Sequence, residues 1–195
     1  KEIMLFSYNT LMDRAEVAAL GFHLDHLDDA LDHLGAPVGV PCYLPDNAQG
    51  EDNAQDFLGM VGFPITLTPY FPKDAPSLFL TRAASCDPDI MEKLDRYVAN
   101  GGKAIVTGGF VRAMLGRGIE NMTSLRFEGR RATARDYMVE RLDPSRPRME
   151  YVHGRDAIDF PVMEMRNNAT WALVKGIDGG ESYALLARDT YGGGE

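Results

Sequence analysis

The densest run of potential metal ligands is His23-Leu-Asp-His26-Leu-Asp-Asp29-Ala-Leu-Asp-His33, in which His26, Asp29 and His33 recur at i, i+3 and i+7 on one helical face. His26 and His33 stand nearly two turns apart, so a further element would have to complete a site; the alternative is a solvated stripe opposite an apolar one. Cys86 is the candidate nucleophile. It falls at the C-terminal end of a predicted parallel strand and just before a helix N-terminus, where a thiolate is stabilised. A working thiol also needs a base, and no histidine occupies a motif position beside it; the alternative is a loop cysteine packed under the helix. Open α/β sheets bind ligands at that edge, which makes Asn9, Thr81, Arg82, Thr107 and Gly108 candidate contacts for a sugar or small polar ligand. Asp46, Glu51, Asp52 and Asp56 are acids of the kind that cleave glycosides, but such carboxylates must face each other across a sugar, and their spacing shows no such pairing. In Ala-Thr-Trp-Ala-Leu-Val, Trp171 alternates with Leu173, which favours a core position over a sugar-stacking one.

Composition narrows the partners. Twenty Lys and Arg against 29 Asp and Glu give a net charge of -9, which argues against a nucleic-acid backbone. The basic cluster Arg126, Arg130, Arg131 and Arg135 is interleaved with Glu128 and Asp136 and reads as a strand face. Two cysteines, Cys42 and Cys86, form no CxxC metal motif and no disulfide framework, and a single disulfide between them stays open. No cofactor is expected. No apolar run approaches the roughly 18 residues that span a bilayer, and no signal-peptide pattern opens the chain. Lys1 without an initiator Met and the closing Tyr191-Gly-Gly-Gly-Glu195 read as cuts in a longer polypeptide. Signal cleavage would equally explain Lys1, which leaves cytoplasmic and exported locations both open.

The elements that must position these residues follow from periodicity. Ile3 to Tyr8 is a short apolar strand, and Asp13 to Leu34 a helix with Leu24, Leu27, Leu31 and Leu34 on one face and Gly35 at its stop. Val38 to Tyr43 gives a second strand, Glu51 to Val61 a helix, and Ile65 to Thr68 and Ser77 to Thr81 further strands. Asp87-Pro88 starts a helix that buries Ile90, Leu94, Tyr97 and Val98 and ends at Asn100-Gly101-Gly102. Ala104 to Thr107 is the next strand, and the short helix Phe110 to Leu115 follows Gly108-Gly109. Beyond Gly118 the pattern turns extended, in Ser124 to Phe127, Thr133 to Val139, Val162 to Met165, Trp171 to Gly176 and Ser182 to Arg188, with a hairpin connection at Ile177 to Glu181.

The stretch from Ser77 to Leu115, with Asp-Pro-Asp-Ile-Met-Glu-Lys-Leu-Asp-Arg-Tyr-Val-Ala-Asn-Gly-Gly-Lys-Ala-Ile-Val-Thr, resembles the class I glutamine amidotransferase-like fold as used in the non-catalytic (trimerisation) domain of bacterial β-galactosidases. The closing Tyr183-Ala-Leu-Leu-Ala-Arg-Asp-Thr-Tyr-Gly-Gly-Gly is similar to the strand and glycine turn that precede a final strand in those domains. Together the two matches cover about a quarter of the chain. In catalytic members the strand runs into a G-x-C-x-G elbow. Here Val106-Thr107-Gly108-Gly109-Phe110 occupies the turn, and a glycine replaces the cysteine. The activating His-x-Glu pair is also missing, since His153 is followed two residues on by Arg155. The resemblance thus implies a domain without amidotransferase chemistry.

The expectation is an α/β chain, a mostly parallel sheet flanked by helices (flavodoxin-like or amidotransferase-like) with antiparallel strands added in its C-terminal third. It forms one domain over 1–195, with an α/β core at 1–118 and a β-rich extension at 119–195. Its expected role is a non-catalytic accessory or oligomerisation domain of a multidomain, glycoside-hydrolase-like protein. Its partners would be other domains of the same chain, further copies of itself, and carbohydrate reached through the parent protein. Alternatives are a thiol hydrolase using Cys86 and a module that binds a sugar or small polar ligand.

Overall fold

The computed structural model describes residues 14–49, 53–141 and 148–195. The chain divides into two compact units, Lys1–Val38 and Gly39–Glu195. The first contains helix α1 (Arg14–Asp32), in which Leu20, Leu24 and Leu31 are half-buried while Leu27 is exposed; Leu34, expected on the same face, lies beyond the helix end and is exposed. The expected strand Ile3 to Tyr8 and the candidate Asn9 lie outside the described residues. Among the described residues no helix is long and apolar enough to cross a membrane.

The second unit opens with β1 (Val40–Tyr43), α2 (Ala54–Met60), β2 (Ile65–Thr68), β3 (Ser77–Leu80), α3 (Ile90–Ala99), β4 (Lys103–Val106) and α4 (Gly108–Ala113). Its four strands pair in parallel in the order β2-β1-β3-β4. Helix α3 forms because Ile90, Leu94, Tyr97 and Val98 recur at helical spacing, and all four are buried. It stops where Gly101 takes φ 89, a left-handed conformation that a side chain disfavours. The Gly102 N–H then reaches the Tyr97 carbonyl at 3.0 Å and the Gly101 N–H the Val98 carbonyl at 2.9 Å, which satisfies the helix end. These residues pack with Tyr43, Leu78, Leu80, Phe110, Val111 and Met114 into the main core.

The remainder is β5 (Leu125–Arg141), β6 (Arg148–Met165), β7 (Trp171–Asp178) and β8 (Glu181–Arg188), an antiparallel sheet in the order β6-β5-β7-β8. The fold-class expectation is corrected here. The antiparallel strands do not extend a mostly parallel, flavodoxin-like sheet; they form a separate sheet of equal strand number, and the C-terminal half is dominated by strand. β5 and β6 are 17 and 18 residues long and pair mainly with each other. β5 pairs with β6 on one side and β7 on the other, β7 also pairs with β8, and none of the four strands pairs at the edge of β4. That edge instead meets the chain end: the Ala104 N–H donates to the Glu195 carbonyl at 2.8 Å, and the Glu195 N–H to the Gly102 carbonyl at 3.3 Å. The two sheets touch where Phe127 and Met163 pack onto the main core, while Ala132, Ala134, Phe160, Val162 and Tyr183 form a smaller core of their own.

Candidate functional site

The parallel sheet reverses its winding between β1, which leads through α2 to β2 on one side, and β3, which leads through α3 to β4 on the other. The strand ends at such a reversal are where open α/β sheets place ligands. Tyr43 closes β1 there. From β3 the chain passes through Thr81 into a short 3-10 turn, Arg82–Cys86, and then Asp87.

Asp87 is the centre of this edge. Its carboxylate accepts from the Tyr43 hydroxyl at 2.8 Å, from Lys93 Nζ at 2.5 Å and from the Asp89 N–H at 2.9 Å. Burial alone would raise the Asp87 carboxyl, but the bonds from Lys93, Tyr43 and the Asp89 N–H outweigh it and hold the group below its ordinary value. Burial, with the bond to Asp87 next, pushes the Tyr43 hydroxyl well above its ordinary value, so the pair is carboxylate and phenol at neutral pH. Arg117 then ties the neighbouring backbone, donating to the carbonyls of Ser85 at 3.0 Å, Pro88 at 3.3 Å and Asp87 at 3.4 Å.

Cys86 is half-buried beside this lock. Its Sγ accepts from the Gln49 N–H at 3.3 Å and its thiol faces the Gln49 carbonyl at 3.7 Å, while Asn47 Nδ2 donates to the Cys86 carbonyl at 2.9 Å. These partners are backbone and amide groups, and none can take a proton from sulfur. Thr81 is fully buried and its Oγ1 has no hydrogen-bond partner, whereas Arg82 is exposed. Thr107 caps α4, its hydroxyl accepting from the Phe110 N–H at 3.2 Å. A Cβ added at Gly108 would meet Phe127 Cζ at 3.8 Å and Met163 Sδ at 3.9 Å. That position could carry a side chain, but one facing an apolar roof from the antiparallel sheet.

The other candidates are dispersed. Among the described residues no group of three or more His, Cys, Asp or Glu could hold a metal ion, and His26, Asp29 and His33 make no such group; His26 Nδ1 instead lies 3.1 Å from the Phe22 carbonyl. Asp46 and Asp56 are exposed, and Glu51 and Asp52 lie outside the described residues. His153 sits on β6 with Nδ1 2.6 Å from the Asp136 carboxylate. The arginine cluster is committed internally: Arg126 to the carbonyls of Thr123, Leu125 and Glu120, Arg131 to Asp159 and Arg135 to the Gly154 carbonyl. Trp171, expected in the core, is 58% exposed. A shallow depression of about 200 Å³ between Lys73, Pro76, Tyr97 and Gly102 lies at the opposite, N-terminal ends of β3 and β4.

Sequence reasoning also missed a polar clasp under the antiparallel sheet. Asp189 accepts from the hydroxyls of Thr123 at 2.6 Å and Thr170 at 2.7 Å, and Ser124 Oγ bonds Thr170 Oγ1. Its members are far apart in the chain and follow no spacing rule. The hydroxyl residues Thr123, Ser124 and Thr170 flank the strands, and nothing in their spacing joins them to Asp189.

Residues 35–195 match a family model described as "Uncharacterized protein SSO3021, second domain". No curated protein matches the chain. No solved structure matches it either.

Proposed function

We propose that this chain, which belongs to the family of the second domain of SSO3021, is a soluble, non-catalytic accessory or oligomerisation domain of a multidomain, glycoside-hydrolase-like protein. The observation that carries the reading is the turn after β4. Neither Gly108 nor Gly109 offers a nucleophile, and a Cβ at Gly108 would meet Phe127 and Met163 of the antiparallel sheet. The one histidine after this turn, His153, is engaged with Asp136 on the antiparallel sheet. At the neighbouring edge Asp87 has its carboxylate occupied by Tyr43, Lys93 and Asp89, which suits holding loops together better than moving protons.

The family's description as a second domain supports the multidomain part of the reading. The resemblance of Ser77 to Leu115 and of Tyr183 to Gly194 to the non-catalytic domain of bacterial β-galactosidases supports the glycoside-hydrolase part. Its partners are then neighbouring domains of the same polypeptide and further copies of the chain, with carbohydrate met through the parent protein.

The test removes residues 39–195 from the natural polypeptide and compares glycosidase turnover and molar mass by light scattering. The expected result is a smaller assembly or a large loss of turnover by the neighbouring domain. Unchanged mass and turnover refute the accessory role. Amide or ester hydrolysis by this chain alone, abolished by Cys86→Ala, would replace it with thiol chemistry.

A further inference from the structure

Trp171 is the chain's single tryptophan, and it opens β7 with 58% of its surface exposed. Its indole N–H donates to the Glu140 carboxylate on the adjacent strand β5. Glu140 pairs with Met149 across the sheet, and one step along Tyr151, Met138 and Lys175 pair in a row. Paired residues stand on one face, so Tyr151, 75% exposed, and Met149, 40% exposed, share the Glu140 face with Lys175. Arg188 pairs with Trp171 on its other side. The packed face of the sheet is the opposite one, where Gly176 lies against Ala134 and Phe160.

An exposed indole contributes nothing to that packed face, and its bond to Glu140 fixes the ring edge while leaving the ring plane open. Such an anchored aromatic presents a large, rigid contact area at little cost in side-chain freedom. Its electron-rich plane attracts the weakly positive C–H face of a sugar ring. Glu140 supplies acceptors at the rim, and Lys175 and Arg188 supply donors, which are the two kinds of partner that ring hydroxyls require. A stable protein partner needs about 800 Å² on each side. Two aromatic side chains bury only about 150–250 Å² each, so with Met149 the patch falls short of that size. It fits one or two sugar residues.

We propose that Trp171, anchored by Glu140, forms a stacking subsite for neutral carbohydrate on the open face of the antiparallel sheet. The subsite goes beyond the accessory role and stands whether or not the chain serves a catalytic neighbour. Because Trp171 is the only tryptophan, its fluorescence reports this site directly. The experiment titrates the protein with gluco-, galacto-, manno- and xylo-configured pentasaccharides up to about 10 mM, with saturation-transfer NMR as the second readout. At least one sugar should give a saturable fluorescence change. Trp171→Ala should weaken its binding tenfold or more in the NMR readout, and Glu140→Ala, which frees the indole edge, severalfold. No saturable response to any of the four sugars, or binding that survives both substitutions unchanged, overturns the proposal. Neither outcome touches the deletion test above, which reads the mass and turnover of a neighbouring domain.

Discussion

Replacing Asp87 by alanine separates a structural lock from a reactive centre. The carboxylate holds the hydroxyl of Tyr43, a side chain only 5% exposed, and without it that hydroxyl loses its acceptor at a cost of about 1–3 kcal/mol. Lys93, whose side chain is 34% exposed, regains water and adds at most about 1 kcal/mol. Loss of the acceptor for the Asp89 N–H at the entry to α3 resembles loss of a helix cap, about 0.5–2 kcal/mol. The sum at pH 7 is about 3 kcal/mol, or roughly 6–12 °C in Tm for a domain of this size. The pH dependence has a definite sign. Asp87 titrates below its ordinary value in the folded protein, so its ionised form stabilises the fold above the unfolded value near 3.9, and that contribution is lost as pH falls through the folded one. The lead of the natural protein over D87A in urea unfolding, followed by far-UV circular dichroism, should therefore be flat from pH 7 to about pH 5 and narrow below pH 4. A lead under about 1 kcal/mol at pH 7, or one equally large at pH 3, would refute the lock.

Three further outcomes follow from packing and hydrogen bonding. A Cβ at Gly194 would stand 2.4 Å from the Gly102 carbonyl and 2.6 Å from the Val98 carbonyl, so Gly194→Ala should cost about 1–3 kcal/mol and lower Tm by several degrees in a thermal scan. Asp189→Ala strips the acceptor from Thr123 and the buried Thr170 and should cost about 2–4 kcal/mol in urea unfolding; a change under about 0.5 kcal/mol would show that water replaces the clasp. Cys42 is fully buried and Cys86 half-buried, so iodoacetamide should add one label to the native protein and two after denaturation, counted by intact mass. Cys86, lacking a base among its hydrogen-bond partners, should react no faster than a small-molecule thiol.

The residues around α3 were legible because each level of the sequence agrees. The stripe Ile90, Leu94, Tyr97 and Val98 has helical period, Asn100-Gly101-Gly102 stops it, and the strands on either side are short and apolar. β6 was not legible over most of its length. From Arg148 to Asp159 it has no fully buried side chain, so no period-two signal exists, and only pairing with β5 makes it a strand. Trp171 failed for a different reason. Alternation correctly separates Trp171 from Ala172, but size misleads as to which face packs: the buried face of β7 carries Ala172 and Gly176, small residues that let Phe160 lie close. Asp87-Pro88 predicts the helix start two residues early: α3 begins at Ile90 with Asp89 at its N-cap, and Asp87 reaches only the Asp89 N–H, while its partner Tyr43 is 44 residues away and no local pattern could join them.

The contrast between the two sheets bears on where this protein can act. At the reversal point of the parallel sheet, three of the groups that could do chemistry are bonded to one another or to backbone: Asp87 to Tyr43 and Lys93, Cys86 to Gln49, and Arg117 to three carbonyls. A substrate entering there would have to displace these bonds, each worth about 0.5–1.5 kcal/mol and more for the charged ones, before gaining any contact of its own. The open face of the antiparallel sheet carries no such debt. Trp171 and Tyr151 are already exposed, and the bond from Trp171 to Glu140 orients the ring without covering it. A ligand that lies flat on that face displaces hydration water and leaves the bond from Trp171 to Glu140 in place, so contact there costs none of the bonds that hold the sheet edge.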